Sequence, residues 1–186
     1  KTHFADVLEL IPSLHEEFIN NPIGELATIY LNPWHFDESA ALIGDAAHAI
    51  VPFFGQGMNA SFQDCTILNQ LIKKYNNNWK KIFSSFSNQH VKNGHAIADM
   101  AIENYEEMRD SVNKSKYQAQ RKLEFALEQR IPNKFIPRYS MVSFSEKPYS
   151  EVYKKGEKQY KLLNALLELD PTGETIDSTI VNNFIN

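Results

Sequence analysis

Residues 40–75 change character twice in quick succession, and the order of those patterns constrains the fold more than any other feature of the chain. The run Ala40-Ala41-Leu42-Ile43-Gly44-Asp45 is apolar, lacks polar alternation and stops at Gly-Asp. Strands covered on both faces have this pattern, so the run is expected to form a short central parallel strand. A loop with one proline and two glycines spans Ala46 to Gly57. After it Phe62, Cys65, Leu68, Leu71, Ile72 and Tyr75 recur at helical spacing. Strand, glycine loop and helix, in that order, are the grammar of an α/β element.

The flanking segments are simpler. Phe4, Val7, Leu8 and Ile11 follow a helical period, and Ser13-Leu14-His15-Glu16 has the spacing that opens a short helix ending by Asn20-Asn21-Pro22. From Gly24 to Leu31 the apolar Ala27, Ile29 and Leu31 alternate with Thr28 and Tyr30, which predicts a half-buried strand closing an antiparallel sheet. Downstream the pattern is helical. Asn78 is expected to cap a helix burying Trp79, Ile82, Phe83 and Phe86, and a longer helix carries Ile97, Ala101, Tyr105 and Met108 toward Ile131. Pro132 and Pro137 interrupt, Tyr139 to Phe144 fits either an extended or a helical stretch, and Pro171 to Asn186 reads as a loose polar tail. The chain is therefore expected to be mainly α with a few short strands, divided into residues 1–37, 38–76, 77–170 and 171–186.

Composition excludes several classes of function. With 186 residues, 42% of them hydrophobic, the chain can bury one ordinary core. Its 19 basic and 23 acidic side chains give a net charge of −4 without a basic block, so no nucleic-acid footprint is present. Cys65 stands alone, which precludes an internal disulfide or a thiolate zinc cluster and fits a reducing, cytoplasmic setting. It is expected to be a small buried apolar residue. No apolar run approaches the roughly 18–20 residues that span a bilayer. His35, His48 and Asp45 lack metal-ligand spacing, and His48 is expected to be a structural histidine bonded within the loop. The acidic Glu103, Glu106 and Glu107 read as a solvated helix face. A start without Met, inside a helical pattern, leads to the expectation that the chain is part of something longer.

The loop itself carries chemistry. A strand would deliver Asp45 to the carboxyl edge of a sheet, where its oxygens can accept hydrogen bonds from ligand hydroxyls or merely cap the strand. Gly55 and Gly57 let backbone approach a flat ligand closely. The helix beginning near Met58 presents unpaired N–H groups and the positive end of its dipole, which favour an anion. A reduced flavin and a phosphate are equally served by that arrangement.

The segment Gly44-Asp45-Ala46-Ala47-His48 through Pro52-Phe53-Phe54-Gly55-Gln56-Gly57-Met58-Asn59 resembles the second FAD-binding motif of the class A flavoprotein aromatic hydroxylases, in the wording of their kynurenine 3-monooxygenase branch. Asn104-Tyr105-Glu106-Glu107-Met108-Arg109 and Ile136-Pro137-Arg138-Tyr139-Ser140-Met141-Val142 resemble two substrate-holding segments of that branch, so the likeness covers about residues 24–150. It implies that Asp45 bonds the ribityl chain of FAD and that Pro52, Gly55, Gln56, Gly57, Met58 and Asn59 lie along the isoalloxazine. It further implies that Asn104 and Tyr139 hold the amino-acid end of the substrate, with Phe53, Phe54 and Met108 nearby.

The fold implied for the intact protein is the α/β FAD- and NAD(P)-binding architecture of p-hydroxybenzoate hydroxylase, residues 1–37 ending its substrate-domain sheet. The activity implied is hydroxylation of L-kynurenine to 3-hydroxykynurenine using FAD, NADPH and O2, with no catalytic side chain and no metal in this part. One departure is Ala60-Ser61-Phe62-Gln63-Asp64-Cys65, where the family usually has Ala-Gly-Phe-Glu-Asp-Cys. The Gly-x-Gly-x-x-Gly start and further substrate-gripping residues would belong to an N-terminal half of the same protein, without which this chain is expected to be inactive. A flavin hydroxylase for another aromatic substrate and a non-catalytic helical interaction module are the alternatives.

Overall fold

A computed structural model describes residues 5–174 and Val181. In chain order the elements are α1 (Val7–Leu10), α2 (Leu14–Asn20), β1 (His35–Phe36), β2 (Ala40–Ala41), α3 (Asp45–His48), a 3-10 turn (Pro52–Phe54), α4 (Gly57–Tyr75), α5 (Trp79–Asp110), α6 (Ser115–Arg130), α7 (Arg138–Phe144) and α8 (Tyr149–Leu169). β1 and β2 form a two-stranded antiparallel ladder pairing His35 with Ala41 and Phe36 with Ala40.

Helix α5 is the spine. Asn78 accepts a hydrogen bond from the Lys81 N–H at 3.1 Å and so starts it as expected. The helix then runs unbroken to Asp110, about 48 Å at 1.5 Å per residue. The two helices expected between Asn78 and Ile131 are thus divided elsewhere, at residues 111–114. Gly94, Ala96, Ala98 and Ala101 are buried beside Ile97 and Met100. Small side chains on several faces let neighbours close around the helix, which a single apolar stripe would not permit.

Three apolar clusters form along this spine. Trp34, Leu71, Ile82 and Phe86 join α4 to the first half of α5. Phe54, Ile97, Met100, Met141 and Val152 join the 3-10 turn, α5, α7 and α8. Leu123, Leu127, Leu163 and Leu166 join α6 to α8, each side chain contributing about 1.5–3 kcal/mol by its burial. α8 meets its partners with Val152, Gly156, Gln159, Leu163 and Leu166, a stripe at intervals of three and four. Tyr139 to Phe144, left open by the sequence, lies within helix α7.

Several expectations are corrected. Residues 24–31 belong to no strand. The polar groups of Tyr30, Leu31 and Trp34 are bonded by side chains of α5 instead: the Tyr30 hydroxyl to Asp99 at 2.7 Å, the Leu31 carbonyl to His95 at 3.1 Å, and the Trp34 N–H to Ser87 at 3.0 Å. Of the backbone groups in 24–31, the Leu31 carbonyl is taken by α5 and the Ile29 N–H donates to the Ala49 carbonyl at 2.9 Å, so the segment is bonded without a ladder. The central parallel strand at 40–45 is reduced to Ala40–Ala41, and Leu42 and Ile43 are 40% and 42% exposed. A strand buried on both faces needs flanking strands, and the described residues supply only β1.

Helix α2 forms, but Ser13 is itself in helical conformation and donates to Glu17 at 2.5 Å, so the expected capping geometry is absent. α4 buries Ala60, Asp64 and Leu71, which turns Phe62 and Cys65 outward; Cys65 is exposed. Trp79 is 43% exposed. The supposed loose tail contributes Gly173 and Val181 to the interior, Val181 within the α6–α8 cluster. Its residues 175–180 and 182–186 lie outside the described residues. No helix among the described residues is long and apolar enough to cross a membrane.

Candidate functional site

Gly44 has φ +58° and ψ −144°, a backbone conformation open to glycine, and a Cβ there would stand 3.1 Å from Ser61 Oγ. This turn directs the chain into α3, whose first residue, Asp45, is solvent-exposed. Asp45 therefore begins a one-turn helix, where a strand end was expected. Pro52 sits at the start of the 3-10 turn, where its missing N–H costs nothing, and Gly55 ends that turn at φ +65°. Nothing lies within 4 Å of a Cβ placed on Gly55. α4 then begins at Gly57, with Met58 69% exposed and Asn59 also exposed.

The space before the α4 tip is thus open, and Asp45, Pro52, Gly55, Met58 and Asn59 all reach solvent. The first N–H groups of this 19-residue helix and its dipole face that opening. Lys73 and Lys74 in its last turn complement the opposite pole. Gln56 differs from its neighbours. It is buried, and its Oε1 accepts from Asn59 at 3.0 Å and from the Tyr149 hydroxyl at 3.1 Å, tying the loop to α8. Its side-chain oxygen is thus engaged by the scaffold. Burial raises the Tyr149 phenol, which keeps it a donor.

A single hydrogen bond links this loop to a second feature. Asn104 on α5 donates from Nδ2 to the Phe53 carbonyl at 2.7 Å. Phe53 packs on Tyr105 with ring centroids 4.5 Å apart, and Phe54 stacks on Tyr139 at 5.8 Å and 22°. Phe54, Asn104 and Tyr139 line one cavity of about 610 Å³ between α5, α6, α7 and α8. Met108 lies one turn beyond Asn104, its sulfur 3.7 Å from the same amide. Residues taken from three separated stretches of sequence thus meet at one place.

The cavity wall is charged as well as aromatic. Arg138 pairs with Glu103, and Glu103 also accepts from the Tyr153 hydroxyl at 3.0 Å. Arg121 reaches Glu107 at 2.5 Å and pairs with Glu124. The expectation of a solvated acidic face is therefore wrong for Glu103 and Glu107, because α6 and α7 bring arginines onto that face. Burial and the bond to Glu103 push the Tyr153 phenol up to about 12. Burial works against the charge of Arg121, but Glu124, Tyr117 and Glu107 outweigh it and hold the guanidinium above its ordinary range.

Sequence reasoning missed a buried cluster behind the loop. Asp64 on α4 is 1% exposed, and its Oδ2 accepts from the Gly44 N–H at 2.8 Å and lies 2.7 Å from His48 Nε2. His90 Nδ1 is 3.7 Å from the other oxygen. Trp34 packs on both imidazoles, at 5.0 and 6.5 Å between ring centroids. His48 is structural, as expected, but its partner lies on α4 and not within the loop. Burial lowers the pKa of His90, opposed by Asp64. The signal available in sequence was an acidic residue at a position that the helical period assigns to the buried face.

Comparison with known proteins places these observations in a family. Residues 10–118 match the FAD binding domain model. The chain is 42% identical to a kynurenine 3-monooxygenase of Flavobacterium johnsoniae, over 98% of the chain and 41% of that protein. It is 42% identical to the one of Myxococcus xanthus over 94% of the chain and 37% of that protein. With the one of Stenotrophomonas maltophilia it shares 44% identity over 87% of the chain and 35% of that protein. The chain thus spans about two fifths of the length of these relatives.

Proposed function

The chain belongs to the FAD binding domain family, and on that premise we propose that it supplies the second cofactor loop and part of the substrate cavity of a flavoprotein monooxygenase. The complete protein hydroxylates L-kynurenine to 3-hydroxykynurenine with FAD, NADPH and O2. An N-terminal half of the same protein provides the remaining cofactor contacts, and the lone cysteine favours the cytoplasm as its compartment. The observation that carries this reading is the juxtaposition of an open, glycine-relieved loop at a helix N-terminus with an aromatic and charged cavity, joined through the Asn104 to Phe53 bond.

The residues present fit a flavin. The vacant approach at Gly55, the exposed Met58 and Asn59, and the exposed carboxylate of Asp45 leave room for a planar ring with a hydroxylated chain. Asp45 would accept hydrogen bonds from that chain, and the α4 tip would favour negative charge on the ring's pyrimidine edge. When bound, FAD supplies the redox chemistry, taking electrons from NADPH and activating O2 toward an aromatic ring. The chain's own side chains orient and shield. Phe54 and Tyr139 offer stacking surfaces to an aryl group, while Asn104 and the paired arginines and carboxylates suit the zwitterionic end of an amino acid. Pro52, Phe53 and Phe54 are apolar and would help keep water from a bound ring.

The test is purification of the complete protein followed by flavin quantification and turnover of a panel of aromatic acids. FAD should copurify, and kynurenine should be hydroxylated in preference to the others. Asp45→Ala removes charge-assisted hydrogen bonds worth about 1.5–3 kcal/mol and should weaken FAD binding roughly tenfold to a hundredfold. Full flavin occupancy of that variant after dialysis would remove Asp45 from the site, and a colourless wild-type protein would remove the whole reading.

A further inference from the structure

Helix α3 is four residues long, too short to hold its own shape in water, so its orientation depends on what grips it. Ala47 is buried against the Trp34 cluster, and two of the polar ties of α3 converge on a single atom. Oδ2 of Asp64 accepts from the N–H of Gly44, which precedes α3, and bonds Nε2 of His48, which ends it. Both ends of the short helix are therefore tied to one carboxylate oxygen. Asp45, immediately after Gly44, has its place set by this bond.

Asp64 is also fixed with respect to the flavin-facing tip of α4. It lies on the same helix as Gly57, Met58 and Asn59, five to seven residues along, about 8–11 Å at 1.5 Å per residue. The rigid rod carries the open tip at one end and the anchor of Asp45 two turns further on. From this we propose that Asp64 is a positioning residue for the cofactor: it fixes the separation of Asp45 from the α4 tip, and hence the geometry with which the loop meets FAD. The proposal rests on the flavin reading above and adds to it a residue that touches no ligand.

The surroundings support a role beyond ordinary packing. A buried carboxylate is costly unless its oxygens are bonded, and well-packed apolar residues commonly serve stability as well or better. Here Asp64 Oδ1 has no hydrogen-bond partner among the described residues, with His90 Nδ1 at 3.7 Å, while Oδ2 is doubly engaged. The side chain is thus poorly used for stability and well used for holding Gly44 and His48.

The experiment measures FAD dissociation constants on deflavinated complete protein, by flavin fluorescence, with circular dichroism to confirm folding. Asp64→Ala should raise the constant at least tenfold. Asp64→Asn, whose carbonyl oxygen can accept from both Gly44 and His48, should restore it to within about threefold of wild type. Because Asp64 acts through Asp45, adding Asp64→Ala to Asp45→Ala should cost less than twofold further.

Unchanged FAD binding in folded Asp64→Ala, no rescue by Asn, or fully additive losses in the double variant would each overturn the proposal. Should Asp64→Ala fail to fold, His48→Phe keeps the ring against Trp34 and removes one of the two donors. It must then show raised dissociation constants that are non-additive with Asp45→Ala, or the proposal fails. Wild-type protein that binds no FAD would instead sink the flavin reading itself.

Discussion

Two glycines in this chain stand at the same distance from a neighbour, yet alanine should affect them differently. A Cβ on Gly94 would lie 2.6 Å from both Cη2 and Cζ2 of Trp34 and 3.2 Å from His48 Cβ, against ordinary contacts of 3.4–4 Å. The indole would have to move by about 1 Å, and it has nowhere to go. Trp34 is fully buried, its Nε1 is bonded to the Leu31 carbonyl at 3.0 Å, its N–H is bonded to Ser87, and His48 and Phe86 pack on its rings. Overpacking of this kind costs about 1–3 kcal/mol, and the rigidity of the site argues for the upper end. Alanine returns about 1 kcal/mol of helix propensity in α5. Gly94→Ala should therefore destabilise by about 2 kcal/mol, or roughly 4–8 °C in Tm for a chain of this size.

On Gly156 a Cβ would also meet a neighbour at 2.6 Å, but that neighbour is Cδ of Arg138, part of a flexible arm. Arg138 can swing aside at the cost of its partly exposed pair with Glu103, worth about 0–1 kcal/mol, against the same gain in helix propensity. Gly156→Ala should be as stable as the parent or up to about 1 kcal/mol more stable. Thermal denaturation of both variants followed by circular dichroism decides the matter. Equal losses, or a Gly94→Ala protein as stable as its parent, would refute the argument that the stiffness of the struck neighbour sets the cost.

Two further outcomes are expected. Tyr139→Phe keeps the stack on Phe54 and removes the hydroxyl, so steady-state kinetics of the complete protein should show a higher KM for kynurenine, with flavin content unchanged in the absorption spectrum; loss of flavin would make Tyr139 a scaffold residue. The Tyr153 phenol is held at about 12 in the folded chain against about 10 when unfolded, so between those values the unfolded state releases a proton that the folded state keeps, and stability should fall as pH rises. Denaturant titrations at pH 9, 10 and 11 should show this slope in the parent and a shallower one in Tyr153→Phe.

The turn was legible because its backbone requirements are local. Gly44, Gly55 and Gly57 bracket a turn whose backbone demands are written in adjacent residues, and Asn78 announces the start of α5 in the same way. The likeness of Asn104 and Tyr139 to substrate-holding segments could likewise be read from short stretches, and the fold brings both to one cavity with Phe54. The two strands were over-read, since alternation at 24–31 and an apolar run at 40–45 describe what a segment can do when neighbours are present. Whether a strand forms depends on partners elsewhere, and here the Leu31 carbonyl is bonded by His95 of α5 and the Ile29 N–H by the Ala49 carbonyl, with no strand alongside among the described residues.

Sequence alone determined the helical periods and the glycine-bearing turn, because these depend on residues close together in the chain. Tertiary structure alone decided which face of each helix is covered. It turned Cys65 outward and Asp64 inward, set Arg121 and Arg138 against Glu107 and Glu103, and made Gln56 part of the scaffold. Charge pairing and burial depend on distances between residues tens of positions apart, and no local pattern encodes those distances.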